Sequence, residues 1–214
     1  MKKILCLILA LSCIFSCTLA FTSCDDGKGG ESQDPDKAFF DAVAASAASE
    51  IKTLTYYTIE GQDPFNGTYE TSIKANGDFT FKYKFTRIAT LDDADNPDVV
   101  IEGNRATLSG TVYYSAGQYS YDQENWFTEA PAVTVNHPKL NLDKEKLGEY
   151  EMNESKTSLI ATLSAEDAQA VLGLEIDATS DVVIKISTNG TYLTLVSISY
   201  EKGDAKVRVD TSYS

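Results

Sequence analysis

Two Asn-Gly pairs, Asn76-Gly77 and Asn189-Gly190, each lie between stretches in which apolar and polar residues alternate. No other feature constrains the fold as much. An Asn-Gly step adopts the left-handed backbone that a two-residue hairpin needs, so each pair predicts two antiparallel strands joined by a tight turn. After Gly77, residues Phe79, Phe81, Tyr83 and Phe85 alternate with Thr80, Lys82, Lys84 and Thr86. A period of two puts the rings on one face and the polar side chains on the other, giving a sheet with one wet face. Val182, Ile184 and Ile186 repeat the pattern before Asn189, and Val207, Val209, Thr211 and Tyr213 repeat it after Lys202-Gly203-Asp204. Between Tyr192 and Tyr200 the parity shifts, because Leu193 and Leu195 fall on one set and Val196 and Ile198 on the other. That strand is either covered on both faces or bulged.

Further strands are predicted over 53–60, 68–74, 78–87, 99–102, 107–115, 118–121, 126–127 and 158–163, separated by Gly, Asn and Asp turns. A meander is the natural topology for so many short antiparallel strands. Two helices interrupt the pattern. Asp34-Pro35 reads as a cap and first-turn proline, with Phe40, Val43, Ala44, Ala47 and Ile51 at helical spacing through an Ala-rich run to about Glu50. Ser164 with Asp167 three residues on opens a short helix that Leu172 ends and Gly173 closes. Residues 142–147 have the length of one more helical turn. The class is α+β.

The N-terminus is an address. Lys2 and Lys3 precede the uncharged run Ile4 to Phe21, and Phe21-Thr22-Ser23-Cys24 leads at once into Asp25-Asp26-Gly27-Lys28-Gly29-Gly30. A basic head, an apolar run and a small-residue site make a secretory signal. Its ending resembles the lipobox of bacterial lipoproteins, in which small residues precede a cysteine that is lipidated on sulfur. The resemblance implies a signal peptide over 1–23, lipidation at Cys24, a flexible linker over 24–35 and a single domain over 36–214. It also implies an extracytoplasmic location, with the chain anchored to a bacterial membrane through Cys24. Cys17, after Ile14-Phe15-Ser16, is a second position for the cut, and the uncharged run is also long enough to span a bilayer uncleaved.

All four cysteines, Cys6, Cys13, Cys17 and Cys24, fall within or at the end of this signal. The mature domain therefore holds no thiol, although disulfides are allowed outside the cytoplasm. Without Lys2 and Lys3 the formal charge deepens from −14 to −16. Acidity of that size disfavours nucleic acid and anionic headgroups as partners. His137 stands alone in Asn136-His137-Pro138, so a zinc site or a serine triad has too few members. No cofactor is expected, and no activated nucleophile marks an enzyme. Asp92-Asp93-Ala94-Asp95-Asn96-Pro97-Asp98 offers oxygen ligands for calcium without the spacing of an EF-hand, and a solvated loop is the competing reading.

The candidate site is aromatic. Tyr69, Phe79, Phe81, Tyr83 and Phe85, with Val112, Tyr114, Tyr119, Tyr121 and Trp126, are concentrated in the first half of the strands. They form either the cross-strand pairs of a large sheet or the wall of a concavity for a lipid or similar apolar ligand. Exposed Trp126 and tyrosines around a polar groove would point to carbohydrate instead. The order of lipobox, spacer, N-terminal helix, long antiparallel meander and short helix before the last three strands resembles the half-barrel lipoproteins. These include the lipoprotein carriers of the Lol pathway and the lipid-binding lipoproteins of mycobacteria. The resemblance implies a single curved antiparallel sheet, half-barrel-like, whose concave face holds acyl chains. An anchored structural or protein-interaction module, its concave face filled by its own side chains, is the alternative.

Overall fold

Hairpins form at Asn76-Gly77 and Asn189-Gly190, whereas a third Asn-Gly pair, Asn66-Gly67, lies within a strand. The structure, a computed structural model, describes residues 36–46, 50–61, 64–131, 142 and 144–214. The elements are α1 (Lys37–Ser46), β1 (Ile51–Glu60), β2 (Phe65–Ile73), β3 (Phe79–Ile88), β4 (Val99–Glu102), β5 (Arg105–Ser115), β6 (Gln118–Ser120), β7 (Trp126–Phe127), α2 (Lys144–Leu147), β8 (Tyr150–Met152), β9 (Ser158–Leu163), α3 (Ala165–Leu172), β10 (Val182–Thr188), β11 (Leu193–Lys202) and β12 (Ala205–Tyr213). Leu91–Asp93 adds a single 3-10 turn. At the β2–β3 turn Gly77 takes φ +87°, and the Asn76 side chain accepts the Asp78 amide at 3.0 Å. At the β10–β11 turn Asn189 Oδ1 accepts the amides of Thr191 and Tyr192, each at 3.0 Å.

All strands belong to one open, curved antiparallel sheet in the order β7-β6-β5-β3-β2-β1-β12-β11-β10-β9-β8, with β4 paired to the start of β5. The expected meander is thus two meanders. The first runs outward from β1 to β7, and the second starts at the far edge with β8 and returns to β12. They meet where β1 and β12 pair in continuous register from Thr53↔Tyr213 to Glu60↔Lys206.

The parity shift in β11 is a bulge. Thr188 pairs with Leu193 while Ser187 pairs with Leu195, so Thr194 is the extra residue. The extra residue lets Leu193 and Val196 face the same side, and both are buried.

Three helices cover the second meander. α1 packs on β10 and β11, α3 on β9 and β10, and α2 on α3. Phe39, Val43, Leu147, Val171 and Leu172 meet Leu159, Ile184, Ile186, Val196 and Ile198 in a single core. Fully burying a side chain of this kind contributes about 1.5–3 kcal/mol. Ser164 caps α3, accepting the Asp167 amide at 3.1 Å, and Gly173 ends it at φ +62°. Residue by residue, α1 departs from the sequence pattern. Its described part is Lys37–Ser46, its buried face is Phe39, Ala42 and Val43 rather than one running through Ala44, and Ile51 opens β1. The Asp34-Pro35 cap and Ala47 lie outside the described residues. At the entry to α1, Asp36 accepts the Tyr150 hydroxyl at 2.9 Å and pairs with Lys156 at 3.2 Å, which ties it to the β8 edge.

Candidate functional site

Residues directly opposite one another in a ladder share a face, so the registers define one face across the whole sheet. Over the first meander it carries Thr53, Thr55 and Tyr57 of β1, Phe65, Tyr69 and Thr71 of β2, Phe79 to Phe85 in alternation on β3, and Leu108, Val112 and Tyr114 of β5. It is continuous with the face that the helices cover on β9 to β12.

Among the expected wall residues, Tyr69, Phe79, Phe81, Tyr83, Phe85, Val112, Tyr114 and Tyr119 are brought together here. Phe81 lies between Thr71 and Val112, and both Phe81 and Val112 are only 1 % exposed. The rings touch one another in a sequence. Tyr69 stacks on Phe81 with centroids at 5.4 Å and meets Phe85 at 5.1 Å, and Tyr83 stacks on Phe85 at 5.2 Å. Phe79 stacks on Tyr114 at 4.8 Å, and Tyr114 meets Tyr119 at 5.0 Å. Contacts of this type add about 0.5–1.5 kcal/mol beyond burial. Phe65, Tyr57 and Phe127 extend the array, with Phe65 at 5.6 Å from Phe85 and 5.7 Å from Tyr57.

Trp126 does not join the wall. It pairs with Ser120, on the opposite parity from Phe127, and its indole N–H donates to the Gln123 carbonyl at 3.2 Å. Tyr121 sits at the rim, 55 % exposed, with its ring 5.3 Å from Phe127.

Two glycines let the rings lie down. A methyl group at Gly110 would stand 2.5 Å from the Tyr83 hydroxyl oxygen, and one at Gly67 would stand 3.1 Å from the Phe65 ring and 3.2 Å from Phe85. The sheet is bare at those points and the rings cover it. Neither glycine is visible as a site residue from sequence, since each sits where an alternating pattern only shows a gap.

The rings on this face are uncharged, and its charge is confined to the Arg87–Asp93 pair at the end of β3. Burial pushes the phenols of Tyr69, Tyr83, Tyr119, Tyr200 and Tyr213 above their ordinary range, so they remain hydrogen-bond donors at neutral pH. Arg87, at the end of β3, is the charged side chain on this face of β3, and it forms a bidentate pair with Asp93, one limb at 2.7 Å. The Arg87 guanidinium and the Thr90 amide hold the Asp93 carboxyl down at about 2. The acidic run is therefore closed upon itself by Asp93. Among the described residues no group of three or more His, Asp or Glu side chains is placed to hold a metal. His137 and Cys24 lie outside the described residues.

A row of buried hydroxyls crosses the middle of the face, where helix cover gives way to rings. Thr53, Thr55, Thr71 and Thr211 are all buried. Thr55 and Thr211 bond to each other at 2.9 Å. Thr53 and Tyr213 are register partners across β1 and β12, and Thr53 Oγ1 and the Tyr213 hydroxyl each have no hydrogen-bond partner among the described residues. Leaving such a group unpaired costs about 1–3 kcal/mol.

The other face is polar. A depression of about 490 Å³ opens there at the β3-β2-β1-β12 strand ends, bounded by Lys52, Leu54, Glu70, Ser72, Thr80 and Lys82, and also by Thr53, Thr71 and Tyr213. A second, of about 320 Å³, lies at the β8 edge beside Glu151, Ile160 and Lys185. None of the expected wall residues bounds either one. No helix among the described residues is long and apolar enough to cross a membrane.

No family model matches the chain, and no curated protein matches it. Among solved structures, the crystal structure of LprF from Mycobacterium bovis is similar at 11 % identity and a TM-score of 0.42, over 87 % of this chain and 94 % of that one. A likeness at this level carries no assignment of family, ligand or role, and the functional reading rests on the site itself.

Proposed function

We propose that the chain is a non-enzymatic envelope lipoprotein, anchored through Cys24, that holds a lipid or another apolar ligand against the aromatic half of its sheet. One observation carries the reading. One face is apolar on either side of a central row of threonines, and the described helices pack chiefly on β9, β10 and β11, while over β2, β3 and β5 the face is an array of uncharged rings, most of them part-exposed. A contiguous array of part-exposed apolar rings supports a docked ligand. Tyrosine rings combine an apolar body with a hydroxyl tip, which suits a ligand that is mostly hydrocarbon.

A membrane-anchored interaction module with a filled face is the second reading. Its support is that the rings pack on one another and over Gly67 and Gly110, while the two depressions open elsewhere. Native mass spectrometry of residues 34–214, with organic extraction of co-purifying material, separates the two. A stoichiometric lipid is the expected result. A clean apo mass together with no binding of a fluorescent fatty-acid probe would reject the ligand and leave the interaction module.

A further inference from the structure

Trp126, absent from the aromatic wall, lies on the opposite, polar face, the one that holds the depression of about 490 Å³. The ladders lay a single row along that face: Lys52 pairs with Ser72, Ser72 with Thr80, Thr80 with Tyr113, Tyr113 with Ser120, and Ser120 with Trp126. Paired residues share a face, so the row is one surface spanning five strand spacings, about 24 Å. Its Lys52 end is the depression, where Ser72 and Thr80 bring hydroxyls and Leu54, Glu70 and Lys82 stand one row further in. Its other end is aromatic. Tyr113 sits beside Thr80, and Trp126 is 39 % exposed with its indole N–H fixed by the Gln123 carbonyl at 3.2 Å. Charge also sets the row apart. The chain is acidic, at −14, yet the charged side chains bounding the depression are two lysines and one glutamate. Lys52 has no carboxylate partner among the described residues, and Lys82 reaches Glu70 only at 3.9 Å, with both side chains well exposed.

We propose that this row binds an acidic glycan, a short run of sugars that carry uronate carboxylates. Lys52 and Lys82 meet the carboxylates through charge-assisted hydrogen bonds. Ser72, Thr80 and Glu70 exchange hydrogen bonds with ring hydroxyls, for which a hydroxyl both donates and accepts and a carboxylate accepts. Tyr113 and Trp126 offer apolar ring faces to the C–H faces of the sugars that extend beyond the depression. Exposed charges act over about 8 Å at physiological salt, so the local excess of cations outweighs acidity elsewhere on the chain. A nucleic acid, with its dense phosphates, would need more cations than the row supplies. The row lies on the face opposite the array proposed to hold a lipid, and neither reading depends on the other.

The test titrates the full chain, in micelles of an uncharged detergent, with tetrasaccharides of galacturonate, of mannuronate and of hyaluronan, and with the methyl ester of each. Esterification keeps the sugar rings and removes the charge. Calorimetry is expected to show binding of at least one uronate, with its ester at least ten-fold weaker. For that uronate, Lys52→Gln combined with Lys82→Gln should lower affinity at least ten-fold, and Trp126→Ala about three- to ten-fold. Lys185→Gln, beside the second depression on the same face, should leave affinity unchanged. Binding of none of the uronates, or equal binding of acid and ester, would overturn the proposal. So would an unchanged affinity in Trp126→Ala, or a loss in Lys185→Gln as large as in the double variant, since that would mean diffuse attraction to the whole face. All four side chains are exposed, so unfolding midpoints are expected at the wild-type value and show that lost binding is not lost folding.

Discussion

Ile184 and Tyr83 stand on the same face of the same sheet, but Ile184 is enclosed by β-strand neighbours and helices while Tyr83 lies part-exposed over Gly110. Around Ile184 the residues are branched aliphatics that interlock with α1, α2 and α3 and fill a volume. Around Tyr83 they are flat rings that tile a surface. Aliphatic side chains stand up from a sheet and need a second layer to bury them. Rings can instead lie over one another and over glycines, and so shelter a sheet without a second layer. The difference in residue type thus accounts for how one meander is buried under the described helices while the other is covered by its own rings.

Truncating each side should break the comparison or sharpen it. Ile184→Ala opens a cavity in the layered half and should lower stability by about 2–5 kcal/mol, measured by urea unfolding. Phe85→Ala in the tiled half should cost about 1–2 kcal/mol, since its ring is already part-exposed and its neighbours can resettle. Equal losses would mean that the tiled half is as tightly closed as the layered one. Gly110→Ala tests the tiling directly. Its methyl would meet the Tyr83 ring, and the loss should be about 1–3 kcal/mol with Tyr83 fluorescence reporting a more exposed phenol. Ala116 occupies the hairpin between β5 and β6 at φ +50°, a left-handed position that costs a non-glycine residue about 1–2 kcal/mol. After the greater flexibility of unfolded glycine is subtracted, Ala116→Gly should stabilise the tiled half by a few tenths of a kcal/mol to about 1 kcal/mol.

The smallest effect is confined to acid. Asp93 has its carboxyl depressed to about 2 from 3.8, so its contribution is fully present above pH 4 and fades as pH falls through about 2. Asp93→Asn should flatten that part of the stability–pH curve, followed by thermal unfolding between pH 2 and 5. An unchanged curve would show that the Arg87 pair does not distinguish folded from unfolded chain.

Much of this architecture was legible in the residues. The alternation at Phe79 to Phe85 fixed which side chains share a face, and the turns at Asn76-Gly77 and Asn189-Gly190 formed, while Asn66-Gly67, the third such pair, runs straight through β2 because pairing on both sides overrides the local preference. In β11 the parity shift admitted two readings, and only the pairing of Leu193 with Thr188 decided for a bulge. What escaped were contacts with no local code. Nothing near Thr55 says that it will meet Thr211, and nothing near Ala42 says that it, rather than Ala44, will face β10 and β11. The candidate site divides the same way. Its rings follow from period two, but the bare patches at Gly67 and Gly110 and the unpaired Thr53 and Tyr213 exist only once distant strands are side by side.

The β1–β12 pairing also sets an order of events. Thr55 and Thr211 are 156 residues apart, so the seam between the meanders is the least local contact in the sheet and the slowest kind to close. Amides of β1 and β12 should gain protection last in pulse-labelled refolding. Synthesis from the N-terminus delivers β1 early and β12 last of the described strands. Until then β1 presents an open edge beside an unfinished aromatic surface, the combination most prone to pairing with the wrong strand. For this fold, the hazardous interval is synthesis, and it ends only when β12 docks on β1.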